Sequence, residues 1–371
     1  MPTKECHQDF LTNYGVDLTE QKETPSRLGY RMPAEWELHE GTWISWPKNP
    51  DSFPEELLPA VENAYVEMIR ALSPNEKVNL LVDDSAEEER ILEILGSAGI
   101  SGPNVVIHKI RSSDVWFRDY GPIFITRKKG TGKEVAYTHW IFNAWGNKYD
   151  DLKADTSILN QMPMKGLQGF EVPMVLEGGS IDTNGKGTFL TTEQCLLNKN
   201  RNPSLTRGEI ERYLIDYLGA SKIIWLKDGI EGDDTDGHVD DLARFVNPNT
   251  VLCAFEDNAN DPNNAALMEN FNLLKDATDQ DGNKLNVVKL PMPEPVAYNG
   301  IRLPASYSNF YIANNTVLVP IFGDKNDSKA LSIISGFFSD RKVIGINCRA
   351  LVYGFGAIHC VTQQQPSNDV V

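Results

Sequence analysis

Thr206-Arg207-Gly208-Glu209-Ile210-Glu211-Arg212-Tyr213-Leu214-Ile215-Asp216-Tyr217-Leu218-Gly219-Ala220-Ser221-Lys222-Ile223-Ile224-Trp225-Leu226 is the stretch whose pattern decides the fold. Thr206 with Glu209 forms a capping box, the reciprocal hydrogen-bonding pair that starts a helix. Ile210, Tyr213, Leu214, Tyr217 and Leu218 then recur at helical spacing and give one apolar face. The β-branched run Lys222 to Leu226 follows and reads as a strand.

The same unit recurs along the chain. Ser85 with Glu88 suggests another capping box, ahead of an apolar face at Ile91, Leu92 and Leu95 and a strand from Val105 to Ile110. Helical patterns over Asn263 to Leu274 and Asp327 to Phe338 precede strands from Asn286 to Leu290 and Lys342 to Ile346. A weaker one over Asp151 to Gln161 precedes Glu171 to Val175. Hairpins are expected at Ser180–Asp182 with Thr188–Thr191, and at Tyr307–Ala313 with Thr316–Ile321. An irregular repeat of this length predicts an α/β fold of five similar modules in one closed domain. A doubly wound sheet is the competitor, but no G-x-G-x-x-G follows a strand and the hairpins are too numerous. No Gly/Ser linker divides the chain, so a polar segment over residues 1–30 precedes a single domain over 31–371, with a loose tail from Gln363.

Composition narrows the class. The 371 residues carry 35 Lys+Arg against 52 Asp+Glu, a net charge of −17, which disfavours nucleic acid as a partner. Such acidity serves solubility and also attracts cationic ligands. No run reaches the roughly 18 apolar residues of a membrane span, and residues 1–9 lack the apolar core of a signal peptide. Five widely spaced cysteines, Cys6, Cys195, Cys253, Cys348 and Cys360, fit neither a disulfide framework nor a zinc site, and suggest reduced thiols in the cytoplasm.

Polar clusters follow most of the predicted strands: Ser112 to Pro122, Glu177-Gly178-Gly179, Asp233 to Asp241, and Gly354 to Thr362. Modules of one geometry would bring these to one end of the domain. Each has a plain explanation alone: a turn cap at Asp119, a solvated Glu177, an exposed acidic loop at 233–241, a core thiol at Cys360. The acidic run does not match a calcium loop, since no Glu stands at the twelfth position. Together they offer a thiol, a histidine and several acids. His238 and Asp240, two apart, share a face in an extended strand, and the carboxylate favours an imidazolium able to act as a general acid. Asp119 and Asp240 suit a planar cation with several N–H donors, of which guanidinium is the prime case. A cation held there would lower the pKa of Cys360. Arg118, next to Asp119, is expected to face away from the pocket; Arg201 and Arg244 are left as cations able to reach it.

These segments closely resemble the agmatine deiminase family, of the guanidino-group-modifying superfamily with the five-bladed α/β-propeller (pentein) fold. The similarity runs from Met32-Pro33-Ala34-Glu35-Trp36 through Trp43-Ile44-Ser45-Trp46-Pro47 to the C-terminus. Its most specific parts are Trp116-Phe117-Arg118-Asp119 with Gly121-Pro122, Leu176-Glu177-Gly178-Gly179, Leu197-Asn198-Lys199-Asn200-Arg201-Asn202-Pro203, Gly237-His238-Val239-Asp240 and Ile358-His359-Cys360-Val361-Thr362-Gln363-Gln364-Gln365-Pro366. The resemblance implies Cys360 as nucleophile, His238 as general acid and then base, and Asp119 and Asp240 as guanidinium-binding acids. It implies Asp234 as a further substrate contact, with Glu177 and Trp116 in the pocket. It also implies agmatine as substrate, putrescine biosynthesis as its setting, a homodimer, and no metal or organic cofactor. Two departures, Gly354-Phe355-Gly356-Ala357 in place of a glycine run and Asn147 in place of a second glycine, are expected to reshape the pocket mouth. The rivals are an arginine or peptidyl-arginine deiminase, an amidinotransferase of the same fold, and a guanidinium-binding protein without catalysis.

Overall fold

In the computed structural model, which describes residues 23–369, each of the five anticipated strands is the last strand of a separate sheet. Four sheets share one order. They are Ile123–Lys129, Gly132–Ile141 and Gln168–Val175; Asp182–Thr183, Thr188–Thr192 and Lys222–Leu226; Ala243–Asn247, Thr250–Phe255 and Asn286–Pro291; and Tyr311–Ile312, Thr316–Ile321 and Lys342–Asn347. In each, the first pair is antiparallel and the second parallel. Parallel pairing needs a crossover, and the predicted helices supply it: Arg207–Leu218, Asn263–Asp276 and Asp327–Ser335, with a 3₁₀ stretch at Asp151–Gln161.

A small hairpin of Ala297–Tyr298 and Ile301–Arg302 stands apart, and a fifth sheet runs Gln363–Pro366, His39–Ser45, Lys77–Val82 and Val105–Lys109. Its crossover helices are Leu58–Leu72 and Ser85–Ser97. The segment from Gln363 is therefore not a loose tail. It pairs antiparallel with His39–Ser45 and joins the two ends of the described chain. Residues 1–22, with Cys6, lie outside the described residues.

Local chemistry sets the helix ends. Thr206 and Glu209 make the capping box, and Gly219 closes that helix with φ 73°. The Ser85 box is displaced by one residue: Asp84 is the cap and accepts from the backbone N–H groups of Ala86 and Glu87. An ionised carboxylate there also answers the helix dipole, which a serine hydroxyl does not. Middle strands such as Thr250–Phe255 and Thr188–Thr192 are buried throughout, whereas the last strands are partly exposed. The fold is a mixed α/β architecture in which every last strand leads into an inward-running segment. Among the described residues no helix is long and apolar enough to cross a membrane.

Candidate active site

Those inward segments meet around Cys360. After the strand Val105–Lys109, the single helical turn Phe117–Tyr120 carries Asp119 inward. Its Oδ1 accepts from the Gly179 N–H at 3.0 Å and its Oδ2 from the Trp145 indole N–H at 2.9 Å. Gly179 has no substitute here. A Cβ on it would lie 2.6 Å from His238 Nδ1 and 3.0 Å from both Asp119 Oδ1 and Asp240 Oδ2.

The third segment folds on Asp233, whose carboxylate accepts the backbone N–H groups of Thr235, Gly237 and His238. His238 and Asp240 do not lie on an extended strand. Val239–Asp241 is a 3₁₀ turn with His238 as its N-cap. Both side chains nonetheless face the same centre: His238 Nδ1 is 3.9 Å from Asp119 Oδ1, and Cys360 Sγ is 3.7 Å from Asp240 Oδ2. The fifth segment presents Cys360 from the helical turn Ile358–Val361.

The fourth segment contributes a residue that the sequence did not flag. Asn309 Nδ2 donates to Cys360 Sγ at 3.1 Å and to Asp241 Oδ1 at 3.0 Å, while its Oδ1 accepts from the His359 N–H at 2.9 Å. Its position after the fourth strand was the available signal, but no titratable cluster marks that stretch. Behind these groups His359 is clamped between Asp240, at 2.7 Å, and Glu35, at 2.9 Å. Arg244 pairs with Glu35 and Asp182, both at 2.9 Å.

A cavity of about 470 Å³ opens onto Asp119 and Cys360. Trp116, Trp145, Tyr149 and Phe355 give it aromatic walls, and Asp51, Asp151 and Asp234 add acids. Asp234 is held by the Tyr149 hydroxyl at 2.7 Å, with Lys148 Nζ at 3.5 Å. Thus Asp119, Cys360, Trp116 and Asp234 line the cavity, and His238 and Asp240 stand buried beside it. Glu177 does not line it: it is fully buried and bonded to Arg201 Nε at 2.6 Å.

Arg201 and Arg244 are both consumed by such buried pairs and do not reach the cavity. Arg118 also points away, bonding the His359 carbonyl, Gln363 and Gln364. It does so from a helical turn, so alternation along a strand is not the reason. Asn147 takes φ 64°, the left-handed conformation a glycine would adopt, and does not line the cavity. Phe355 does line it.

Burial sets the charges. It raises the Asp119 carboxyl to about 6, with Asp240 and Glu177 adding to the rise and the His238 cation opposing it. Burial alone would favour neutral His238, but Asp119, then Cys195 and Asp240, outweigh it and hold the imidazolium well above its ordinary range. Cys360 is pushed well above the usual thiol range by burial and then by Asp240, Asp241 and Asp119. For Asp240 burial acts upward, but His359 first, then His238 and Arg244, bring its carboxyl below the ordinary value. Asp240 Oδ1 and both His238 ring nitrogens are buried without a hydrogen-bond partner at normal distance among the described residues. Such groups call for a functional explanation.

Glu177, Cys195 and His238 also present ligand atoms within 4.8 Å of one another. Of these, the Glu177 carboxylate is already paired with the Arg201 guanidinium at 2.6 Å. The arrangement therefore offers a shielded thiol, an imidazolium and two carboxylates around one point, suited to attack on a bound cation followed by proton transfer.

Comparison with known proteins gives consistent matches. The model of the Porphyromonas-type peptidyl-arginine deiminase family matches residues 31–366. A curated protein of Legionella pneumophila (strain Paris), named "Putative agmatine deiminase", is 39% identical over 93% of this chain and 97% of that protein. The structure described as agmatine deiminase of Enterococcus faecalis catalyzing its reaction superposes with TM-score 0.86 and 34% identity, covering 94% of this chain and 99% of the other. A cysteine-to-serine variant of C. jejuni agmatine deiminase with substrate bound gives TM-score 0.80 and 32% identity, over 92% and 97%.

Proposed function

We propose, since the chain belongs to the Porphyromonas-type peptidyl-arginine deiminase family, that it hydrolyses agmatine to N-carbamoylputrescine and ammonia. One observation carries the choice of substrate. Among the described residues, the cavity wall bears Asp51, Asp119, Asp151 and Asp234 and neither lysine nor arginine. Agmatine has a cation at each end and no carboxylate. Arginine would bring an α-carboxylate among these acids with no lysine or arginine in the wall to receive it, and the neighbouring Lys148 is already paired with Asp234 and Asp236.

In the proposed reaction Asp119 and Asp240 hold the guanidinium, and its charge offsets the acids that keep Cys360 protonated. The thiol proton has Asp240 Oδ2 as its nearest acceptor, at 3.7 Å. The thiolate then attacks the central guanidinium carbon, forming a C–S bond while one C–N bond breaks. His238 gives its proton to the departing nitrogen, which leaves as ammonia. Neutral His238 next takes a proton from water, whose oxygen bonds to the amidino carbon. The C–S bond then breaks, returning the thiolate; the proton left on the new oxygen passes to solvent, which leaves a neutral ureido group on the product, and the thiolate regains the proton it gave up at the start. Asp234 and Trp116 are assigned to the rest of the substrate, and Glu177 to anchoring Arg201, which holds the Thr235 carbonyl and Asp236 just ahead of His238.

In the same proposal the five sheets are blades of a five-bladed α/β-propeller forming one domain over 31–371. The strand order shared by four of them and the pairing of Gln363–Pro366 with His39–Ser45 in the fifth support this. A cytoplasmic location accords with four described cysteines that are unpaired thiols. The test is kcat/KM for agmatine, arginine and a blocked arginine peptide under identical conditions. Agmatine is expected to lead by about a hundredfold or more, since a desolvated like-charge contact costs several kcal/mol. Comparable values, or a lead for arginine, would defeat the substrate assignment.

A further inference from the structure

Phe355 sits in the cavity wall with a backbone that phenylalanine avoids. Its φ of 69° and ψ of 22° are left-handed, where Cβ crowds the following carbonyl and glycine is the natural occupant. Such strain persists only where the surroundings over-determine it, and it gathers at functional sites. Here the surroundings are tight. The Phe355 N–H closes the 3₁₀ turn Leu351–Gly354 on the Val352 carbonyl at 3.0 Å. A Cβ on Gly354 would stand 2.8 Å from the Phe53 ring and 2.9 Å from that of Trp116. One on Gly356 would meet Trp116 at 2.4 Å and Cys360 Cβ at 3.1 Å. The turn is thus wedged against Trp116 and the nucleophile, and the phenyl ring is half-buried on the cavity.

A core contact would be met by any apolar residue in a relaxed conformation; this ring is held in a strained one, facing the cavity that Cys360 shares. We propose that Phe355 is a specificity-determining residue that limits the width of the cavity, so that an unbranched alkylguanidine fits and one branched along its carbon chain does not. With Ile301, Leu303 and Tyr353 it gives apolar surface for a chain of methylenes, while the acids receive the charged ends. This role rests on the deimination proposed above, and the test separates the two.

Phe355→Gly and Phe355→Asn both suit a left-handed backbone and remove the ring, whereas Phe355→Tyr keeps it. The probes are agmatine and agmatines bearing one methyl branch, on the carbon next to the guanidine or on the carbon next to the amine, so that charge is unchanged. Their preference ratio, taken against whichever branched probe the wild type excludes more, is read as kcat/KM and, in a Cys360→Ser background, as Kd. The ratio is expected to fall about tenfold in the Gly and Asn variants, a change of ~1.4 kcal/mol, and to hold in Phe355→Tyr. Thermal unfolding of Phe355→Gly should come no lower than in the wild type, because released strain offsets the lost ring. A ratio within about twofold of wild type in both ring-less variants would overturn the filter, as would a marked loss of Tm in Phe355→Gly. Absence of turnover with all of these guanidines would defeat the reaction, while the Kd ratio would still decide the filter.

Discussion

His359 Nδ1 lies 2.7 Å from Oδ2 of Asp240, and that same oxygen is 3.7 Å from the sulfur of Cys360, the next residue along the chain. The proposed nucleophile and one proposed substrate carboxylate are thus tied to one imidazole. Removing it would leave Asp240 and Glu35 buried with part of their compensation gone. Breaking a buried pair in this way costs about 3–5 kcal/mol. His359→Ala should therefore lower the unfolding free energy by about 3 kcal/mol or more and reduce kcat/KM in the fraction that stays folded. Urea denaturation followed beside steady-state kinetics is the check. Unchanged stability would show that the clamp is not under load.

Gly179→Ala should separate folding from catalysis. The new methyl would enter the space between His238, Asp119 and Asp240, the nearest atom being 2.6 Å away. Those side chains have to move, and small misplacements of reacting groups cost about a hundredfold in rate. The expected outcome is a loss of that order in kcat with a cooperative unfolding transition retained. Near-normal turnover would mean that the three groups need not share this geometry.

The pH dependence follows from Asp119. Its carboxyl, raised by burial to about 6, must be ionised to hold a guanidinium, so kcat/KM should fall as pH drops through about 6. Stability moves the opposite way for this group. Its folded pKa lies above the unfolded one, so the native state binds the proton more tightly, and Asp119 favours folding increasingly as pH falls from 6 towards 4. A kcat/KM profile flat to pH 5 would contradict the assignment.

Trp145 tunes that acid. Ala144, Trp145, Gly146 and Asn147 all take positive φ; Asn143 Oδ1 accepts the Gly146 N–H and Asn143 Nδ2 donates to the Asn200 carbonyl, and the indole N–H is placed on Asp119 Oδ2. Trp145→Phe should lower kcat/KM about tenfold to a hundredfold, the worth of a hydrogen bond to a charged group. It should also move the acid limb to higher pH, because the lost hydrogen bond favoured the carboxylate. A lower kcat/KM with an unmoved limb would mean that Trp145 acts only by packing.

The repeating helix and strand were readable because each crossover helix has one wet face and each last strand is partly exposed, which leaves a pattern. The middle strands, buried throughout, leave none. Thr188–Thr191 and Thr316–Ile321 are marked by the turns that precede them, whereas Thr250–Phe255 has no alternation from which a sheet position could be derived. Cys360, His238, Asp119 and Asp240 stood out because reactive side chains cluster in sequence. Asn309 did not, since an uncharged amide after the fourth strand looks like any loop residue until its contact with Cys360 is seen. Glu35 was equally silent: its partners, Arg118, Arg244 and His359, come from three distant parts of the chain. Gln363–Pro366 is polar, so hydropathy suggested a tail; backbone pairing with His39–Ser45, with Arg118 taking up Gln363 and Gln364, makes it a strand.

The most direct test of covalent deimination is to quench the enzyme during turnover of agmatine and map the modified peptide by mass. The peptide containing Cys360 should gain the mass of agmatine less ammonia, with ammonia released in step and no adduct in Cys360→Ser. Steady ammonia release with an unmodified Cys360, or an adduct on another residue, would contradict the account.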